Sequence, residues 1–173
     1  MTASRRLWVP VLVGLLVAVL LGVPGSGDQA QAALESRAGG KIMIPAAAFI
    51  PNSDNWDFDN SGYYLEMSSG NGVFTAPLLF PVPVVNIKKI ILYAYDNSGT
   101  GQVYAAVYRA SPPTSNEIHL GSVWTTDSTA NPQVVSTSAI SPRRVNTALV
   151  GPYLWVTIGP GTRFFGVSVL YSY

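Results

Sequence analysis

The chain has 173 residues, enough for one domain, with no cysteine, one histidine, 11% charged side chains and a formal net charge of +1. That composition excludes a disulfide scaffold, a thiol nucleophile, a cysteine-ligated zinc and a multi-histidine metal centre within one chain. It also lacks the basic face that nucleic acid requires.

The first 32 residues read as a secretory signal peptide. Arg5 and Arg6 precede an apolar run from Leu7 to Val23, and Pro24-Gly25-Ser26-Gly27-Asp28 then breaks any helix. Ala30-Gln31-Ala32 supplies the small-x-small pattern that signal peptidase reads. A retained membrane anchor is the competing reading, although the 17-residue run is at the short limit for a span. Cleavage after Ala32 leaves eight basic and eight acidic side chains, so membrane attachment is expected only through an uncleaved signal. Residues 33–40, with Gly39 and Gly40, read as a flexible lead-in to a domain over 41–173.

From Lys41 onward the pattern is all-β. Short runs rich in Val, Ile, Tyr, Phe and Thr alternate with Gly, Pro, Asn, Asp and Ser clusters. Nine strands are predicted, at 41–50, 63–68, 73–80, 84–95, 102–110, 118–126, 133–140, 153–158 and 164–173. Ser69–Gly72 and Asp96–Gly101 read as hairpin loops, Ser111–Asn116 as a longer connection, and Pro81 and Pro83 as a corner at an edge or crossover. In the last segment Phe165, Val167, Val169, Tyr171 and Tyr173 fall on one face. In 102–110 the faces are Val103/Ala105/Val107 and Tyr104/Ala106/Tyr108; in 153–158 they are Leu154/Val156/Ile158 and Tyr153/Trp155/Thr157. One apolar face at a period of two predicts antiparallel sheets packed as a jelly-roll β-sandwich of eight or nine strands. The core is expected to hold Val103, Val107, Val156, Ile158, Val167 and Val169.

Gly72-Val73-Phe74-Thr75-Ala76-Pro77, the long strand ending Tyr95-Asp96-Asn97, and Phe165-Gly166-Val167-Ser168-Val169-Leu170-Tyr171 together resemble the layout of secreted bacterial jelly-roll domains. More loosely, the pattern is similar to the C1q/TNF-like jelly roll. The resemblance is one of strand pattern over most of residues 41–173, and it implies a trimer-prone adhesion or binding module.

Chemistry-bearing residues are sparse. Asp57, Asp59 and Ser61 before Gly62 match the opening of an oxygen-rich calcium loop, with Glu66 as a fourth ligand two residues short of the usual closing position. The alternative is a loop whose Asx and Ser side chains cap their own backbone. His119 reads as a surface histidine, because no nucleophile elbow accompanies it. Glu66 with Glu117 or Asp127 would make a hydrolytic carboxylate pair only if the fold brought them together. No catalytic residues are therefore assigned, and a secreted hydrolase is the third reading.

Tyr104, Tyr108, Tyr153 and Trp155 occupy the less apolar faces of their strands. Rings there present large contact area at small entropic cost, to another copy of the chain or to sugar rings. Low charge favours burial in an assembly, so the leading expectation is a non-catalytic, self-associating extracellular or cell-surface module, a homo-oligomer with adhesive or structural function. Carbohydrate binding by the same four rings, with a glycan or cell-surface partner, is the alternative.

Overall fold

The computed structural model describes residues 38–173 apart from Pro113, Ser115 and Asp127. The expected signal segment and the lead-in up to residue 37 lie outside the described residues. Twelve strands follow in order: β1 (Gly39–Pro45), β2 (Ile50–Pro51), β3 (Phe58–Asn60), β4 (Leu65–Met67), β5 (Gly72–Pro77), β6 (Val84–Asp96), β7 (Val103–Ser111), β8 (Asn116–Trp124), β9 (Thr129–Thr137), β10 (Arg144–Asn146), β11 (Gly151–Ile158) and β12 (Thr162–Ser172). The end of the expected lead-in is strand, since Gly39 and Gly40 pair with Ser172 and Tyr171. The run predicted at 41–50 is interrupted by a 3-10 turn at Ala46–Ala48. β3 and β10 were not expected, because three residues are too few to display a period of two.

Seven strands make one sheet and five the other, and every pairing between named strands is antiparallel. Without the short β2, β3, β4 and β10, the sheets run β1-β12-β6-β9 and β5-β11-β7-β8. This is a jelly-roll order, in which the chain repeatedly crosses from one sheet to the other. Two expected hairpins are such crossings. Ser69–Gly72 joins β4 in the first sheet to β5 in the second, and Asp96–Gly101 joins β6 to β7 likewise. Gly, Asn and Ser reverse the chain equally well at a hairpin and at a corner between sheets, so turn chemistry alone cannot tell them apart. Pro81 and Pro83 do sit at a crossing, between β5 and β6. Pro132 lies in β9, whose only partner among the described residues is β6; an edge strand tolerates the missing amide.

The core fills the space between the sheets. Val103, Val107, Val156, Ile158, Val167 and Val169 are all fully buried, as the alternation requires. Phe74 and Phe164 are among its largest members. Phe58 packs edge-on against Phe74 at 5.1 Å and Trp56 tilts onto it at 5.9 Å, closing one end of the sandwich.

The last strand departs from the expected phase. In β12, Phe164 pairs with Ala94 and Gly166 with Tyr93, which leaves Phe165 as an extra residue. The bulge shifts the alternation by one, so Phe164 enters the core and Phe165 turns outward onto Tyr64. Gly166 has φ +150°, and a Cβ there would stand 2.6 Å from the Ile44 carbonyl oxygen. Glycine at this point permits both the bulge and the close approach of β1.

Candidate functional site

The outward face of the five-stranded sheet gathers the four aromatic residues singled out from the sequence. In β11 the burial pattern alternates, with Leu154, Val156 and Ile158 inward and Tyr153, Trp155 and Thr157 half-buried on the outside. In β7, Tyr104, Ala106 and Tyr108 share that outer side. Register places Tyr153 beside Tyr108 and Trp155 beside Ala106 and Thr75. Small Ala106 lets the flanking rings lie close to the sheet.

The rings form two groups in a strip along this face. Tyr108 stacks on Tyr153 with centroids 5.7 Å apart and planes 19° from parallel. It also meets Trp155 at 6.2 Å and the exposed His119 at 5.2 Å. Tyr104 stacks on Trp124 of β8 at 6.4 Å and 18°. Trp124 is 46% exposed and extends the strip to the edge of the sheet.

Polar groups border the strip at its other end. A depression of about 330 Å³ is lined by Ile50, Asn52, Thr75, Glu117, Tyr153 and Trp155. Thr75 Oγ1 donates to Asn52 Oδ1 at 3.2 Å. The Trp155 indole N–H donates to Thr157 Oγ1 at 3.3 Å. Glu117 stands opposite Ala110, which stands opposite Gly151, so no bulky side chain separates the carboxylate from Tyr153. The Tyr153 hydroxyl is buried and makes no well-formed hydrogen bond. Burial pushes it well above the ordinary phenol range, and the neighbouring Glu117 carboxylate, which favours the protonated phenol, pushes the same way. Tyr108 is raised too, by burial first and then by its neighbours Tyr104 and Glu117.

The outer face of the seven-stranded sheet also carries tyrosines, but its own cations cover them. The Arg163 guanidinium lies 4.8 Å over the Tyr64 ring and 5.7 Å from Tyr95. Lys41 Nζ lies 5.8 Å over Tyr93 and donates to its hydroxyl at 3.3 Å. These rings already have partners within the chain.

Of the expected calcium ligands, Asp59 and Glu66 stand opposite each other across the β3–β4 pairing, and the remaining groups do not complete a set with them. Arg163 Nε donates to Glu66 Oε2 at 2.8 Å, an ion pair across the β4–β12 register. Ser61 Oγ accepts the amides of Tyr63 and Tyr64 at 3.3 and 3.1 Å, and Asn60 Oδ1 accepts that of Gly62 at 3.0 Å. The loop side chains therefore cap their own backbone. Asp57 and Asp59 are exposed, and among the described residues no three His, Cys, Asp or Glu side chains cluster. Glu66 and Glu117 lie on opposite sheets and cannot share a substrate bond; Asp127 falls outside the described residues.

Trp124, Glu117, Asn52 and Thr75 join the face without having been expected there. Trp124 carried a signal, two residues beyond Ser122 in a predicted strand. A bulge at Leu120 hides it, because counting outward from the β7–β8 loop puts Val123 opposite Tyr104, where Trp124 stands.

No family model and no curated protein matches the chain. Solved structures are similar in fold. One is a chain holding CBM22-1 and GH10 modules of the Clostridium thermocellum endo-1,4-β-D-xylanase 10B, solved with xylohexaose: TM-score 0.50, 11% identity, covering 79% of this chain and 28% of that one. Another is the C-terminal CBM6 of a laminarinase from Zobellia galactanivorans, with TM-score 0.48 and 12% identity over 75% of this chain and 98% of that one. A third is a carbohydrate-binding module described for mannan recognition, with TM-score 0.39 and 10% identity over 78% of this chain and 99% of that one. At these identities the likeness is one of fold.

Proposed function

We propose that this chain is a non-catalytic, extracellular carbohydrate-binding module, and that the ligand lies along the outer face of the five-stranded sheet. The observation that carries the reading is the open strip Trp124–Tyr104 and Tyr108–Tyr153–Trp155, bordered by Asn52, Thr75 and Glu117. Aromatic faces stack on the C–H faces of sugar rings, and flanking amide, hydroxyl and carboxylate groups take up the sugar hydroxyls. The sandwich shared with part of a chain solved with xylohexaose agrees with this reading.

Self-association through the same face, favoured by the low charge of the sequence, is the rival. A glycan array and light scattering on the mature protein separate the two. The expected result is a monomer across concentrations that is retained by a subset of glycans and released by Tyr108→Ala. A concentration-dependent oligomer that Tyr108→Ala converts to monomer, with no glycan retained, would overturn the proposal.

A further inference from the structure

The outer face of the five-stranded sheet carries a single formal charge among its described residues. Its outward positions are Ile50 and Asn52 near one edge, Val73, Thr75 and Pro77 in β5, and Tyr153, Trp155 and Thr157 in β11. Tyr104, Ala106, Tyr108 and Ala110 follow in β7, then Glu117, His119, Ser122 and Trp124 in β8. Among these described residues there is one carboxylate, Glu117, and no lysine or arginine. Arg109 follows Tyr108 but points to the other side of its strand, with its Nε buried. Among the described residues, cations are found on the other sheet. Lys41 and Arg163 cover tyrosines on the opposite sheet.

On the reading of this face as a glycan site, we propose that it selects neutral glycan chains and rejects polyanionic ones, with Glu117 as the specificity-determining residue. A carboxylate accepts hydrogen bonds from sugar hydroxyls, and it shares this end of the strip with Tyr153, whose buried hydroxyl lacks a well-formed partner. A uronate or sulfate group brought to the same place would meet Glu117 at short range with no cation to offset it. Chains bearing such a group on every sugar cannot cover Glu117 without that encounter.

The test is native affinity electrophoresis of the full chain at neutral pH, in gels containing either a neutral polymer (glucomannan, arabinoxylan or mixed-linkage β-glucan) or an anionic one (polygalacturonate, alginate or carrageenan). Wild type is expected to be retarded more strongly by at least one neutral polymer than by any of the anionic ones. Glu117→Gln should lower the neutral-to-anionic affinity ratio about threefold to fivefold, the scale of one exposed charge contact. Glu117→Lys should lower it further, and Glu117→Asp should keep the wild-type order. Glu117 is exposed, so these variants should retain the wild-type circular dichroism spectrum. Equal retardation of wild type by neutral and anionic polymers would overturn the selectivity while leaving glycan binding standing. A ratio unmoved in Glu117→Gln and Glu117→Lys would remove Glu117 from the role. Retardation by no polymer of either class would overturn the carbohydrate reading itself, and the selectivity with it.

Discussion

Tyr108 and Tyr153 lie ring against ring across the β7–β11 pairing, 5.7 Å apart and 19° from parallel. The stack is held from below by the sheet register and from the sides by Trp155 and His119. Its rings therefore have little rotamer freedom to lose when a ligand covers them, which is what a preorganised binding strip requires.

Tyr108 is the ring with the most aromatic neighbours on the face, so its removal should be felt most by a ligand. Tyr108→Ala is expected to weaken binding to a retained glycan about tenfold, roughly 1.4 kcal/mol, with Trp155→Ala close behind. Tyr93→Ala on the opposite sheet should leave affinity unchanged. Calorimetric titration of the three variants checks this, and a loss in Tyr93→Ala equal to that in Tyr108→Ala would move the site to the other sheet.

Gly166→Ala should destabilise the sandwich by about 1–3 kcal/mol, through a strained backbone and a Cβ pressed on the Ile44 carbonyl. Gly62→Ala offers the contrast. Its φ is +82°, but nothing lies within 4 Å of the added Cβ, so only the backbone term of about 1 kcal/mol applies. Urea unfolding of both variants measures the difference, and equal costs would refute the close approach of β1 to β12 as the reason for glycine.

Asp96 is 3% exposed, and it ties the corner between the sheets. Its Oδ2 accepts the Thr125 hydroxyl, its Oδ1 accepts the Ser98 amide at 3.1 Å, and Thr125 Oγ1 in turn accepts the Val103 amide at 3.1 Å. Asp96→Ala leaves the Thr125 hydroxyl and the Ser98 amide without this acceptor, and should cost about 1–3 kcal/mol. A double-mutant cycle with Thr125→Val should show coupling; strictly additive effects would mean the two groups act independently.

Alkaline titration should separate the tyrosines. Hydrogen bonds from Ser168 and Lys41 favour the Tyr93 phenolate and lower its pKa, whereas burial and then Glu117 raise that of Tyr153. The folded chain keeps the Tyr153 proton above about pH 10, where the unfolded chain gives it up. That contribution to stability is therefore fully present below about pH 10 and is lost as the pH rises through the higher folded value. Tyrosinate absorbance should show Tyr153→Phe removing a late-ionising group and Tyr93→Phe an early one. The reverse order would contradict the burial of the Tyr153 hydroxyl.

Alternation of apolar residues was legible because burial on one side of a strand imposes it directly. It identified the all-β class, the six valine and isoleucine core positions, and the outward side of Tyr104, Tyr108, Tyr153 and Trp155. The local polarity of 54–62 suggested a calcium loop because Asp, Asn and Ser serve cation ligation and self-capping alike. The distant partner Arg163 engages Glu66, while Ser61 and Asn60 cap their local backbone.

What the sequence by itself determined is which residues face in and which face out, strand by strand, since that is a one-dimensional property with a period of two. Only the tertiary structure decided which outward faces share a sheet, where Phe165 and Leu120 break the phase, and that Glu117 from β8 sits beside Tyr153 from β11. Those facts depend on pairing between segments far apart in the chain, 125 residues in the case of Met43 and Ser168, and on single-residue bulges that leave no mark on local composition. Strand pairing is fixed by backbone hydrogen bonds, which every residue but proline can make, so the choice of partner is written in the packing of the whole chain rather than in any one stretch of it.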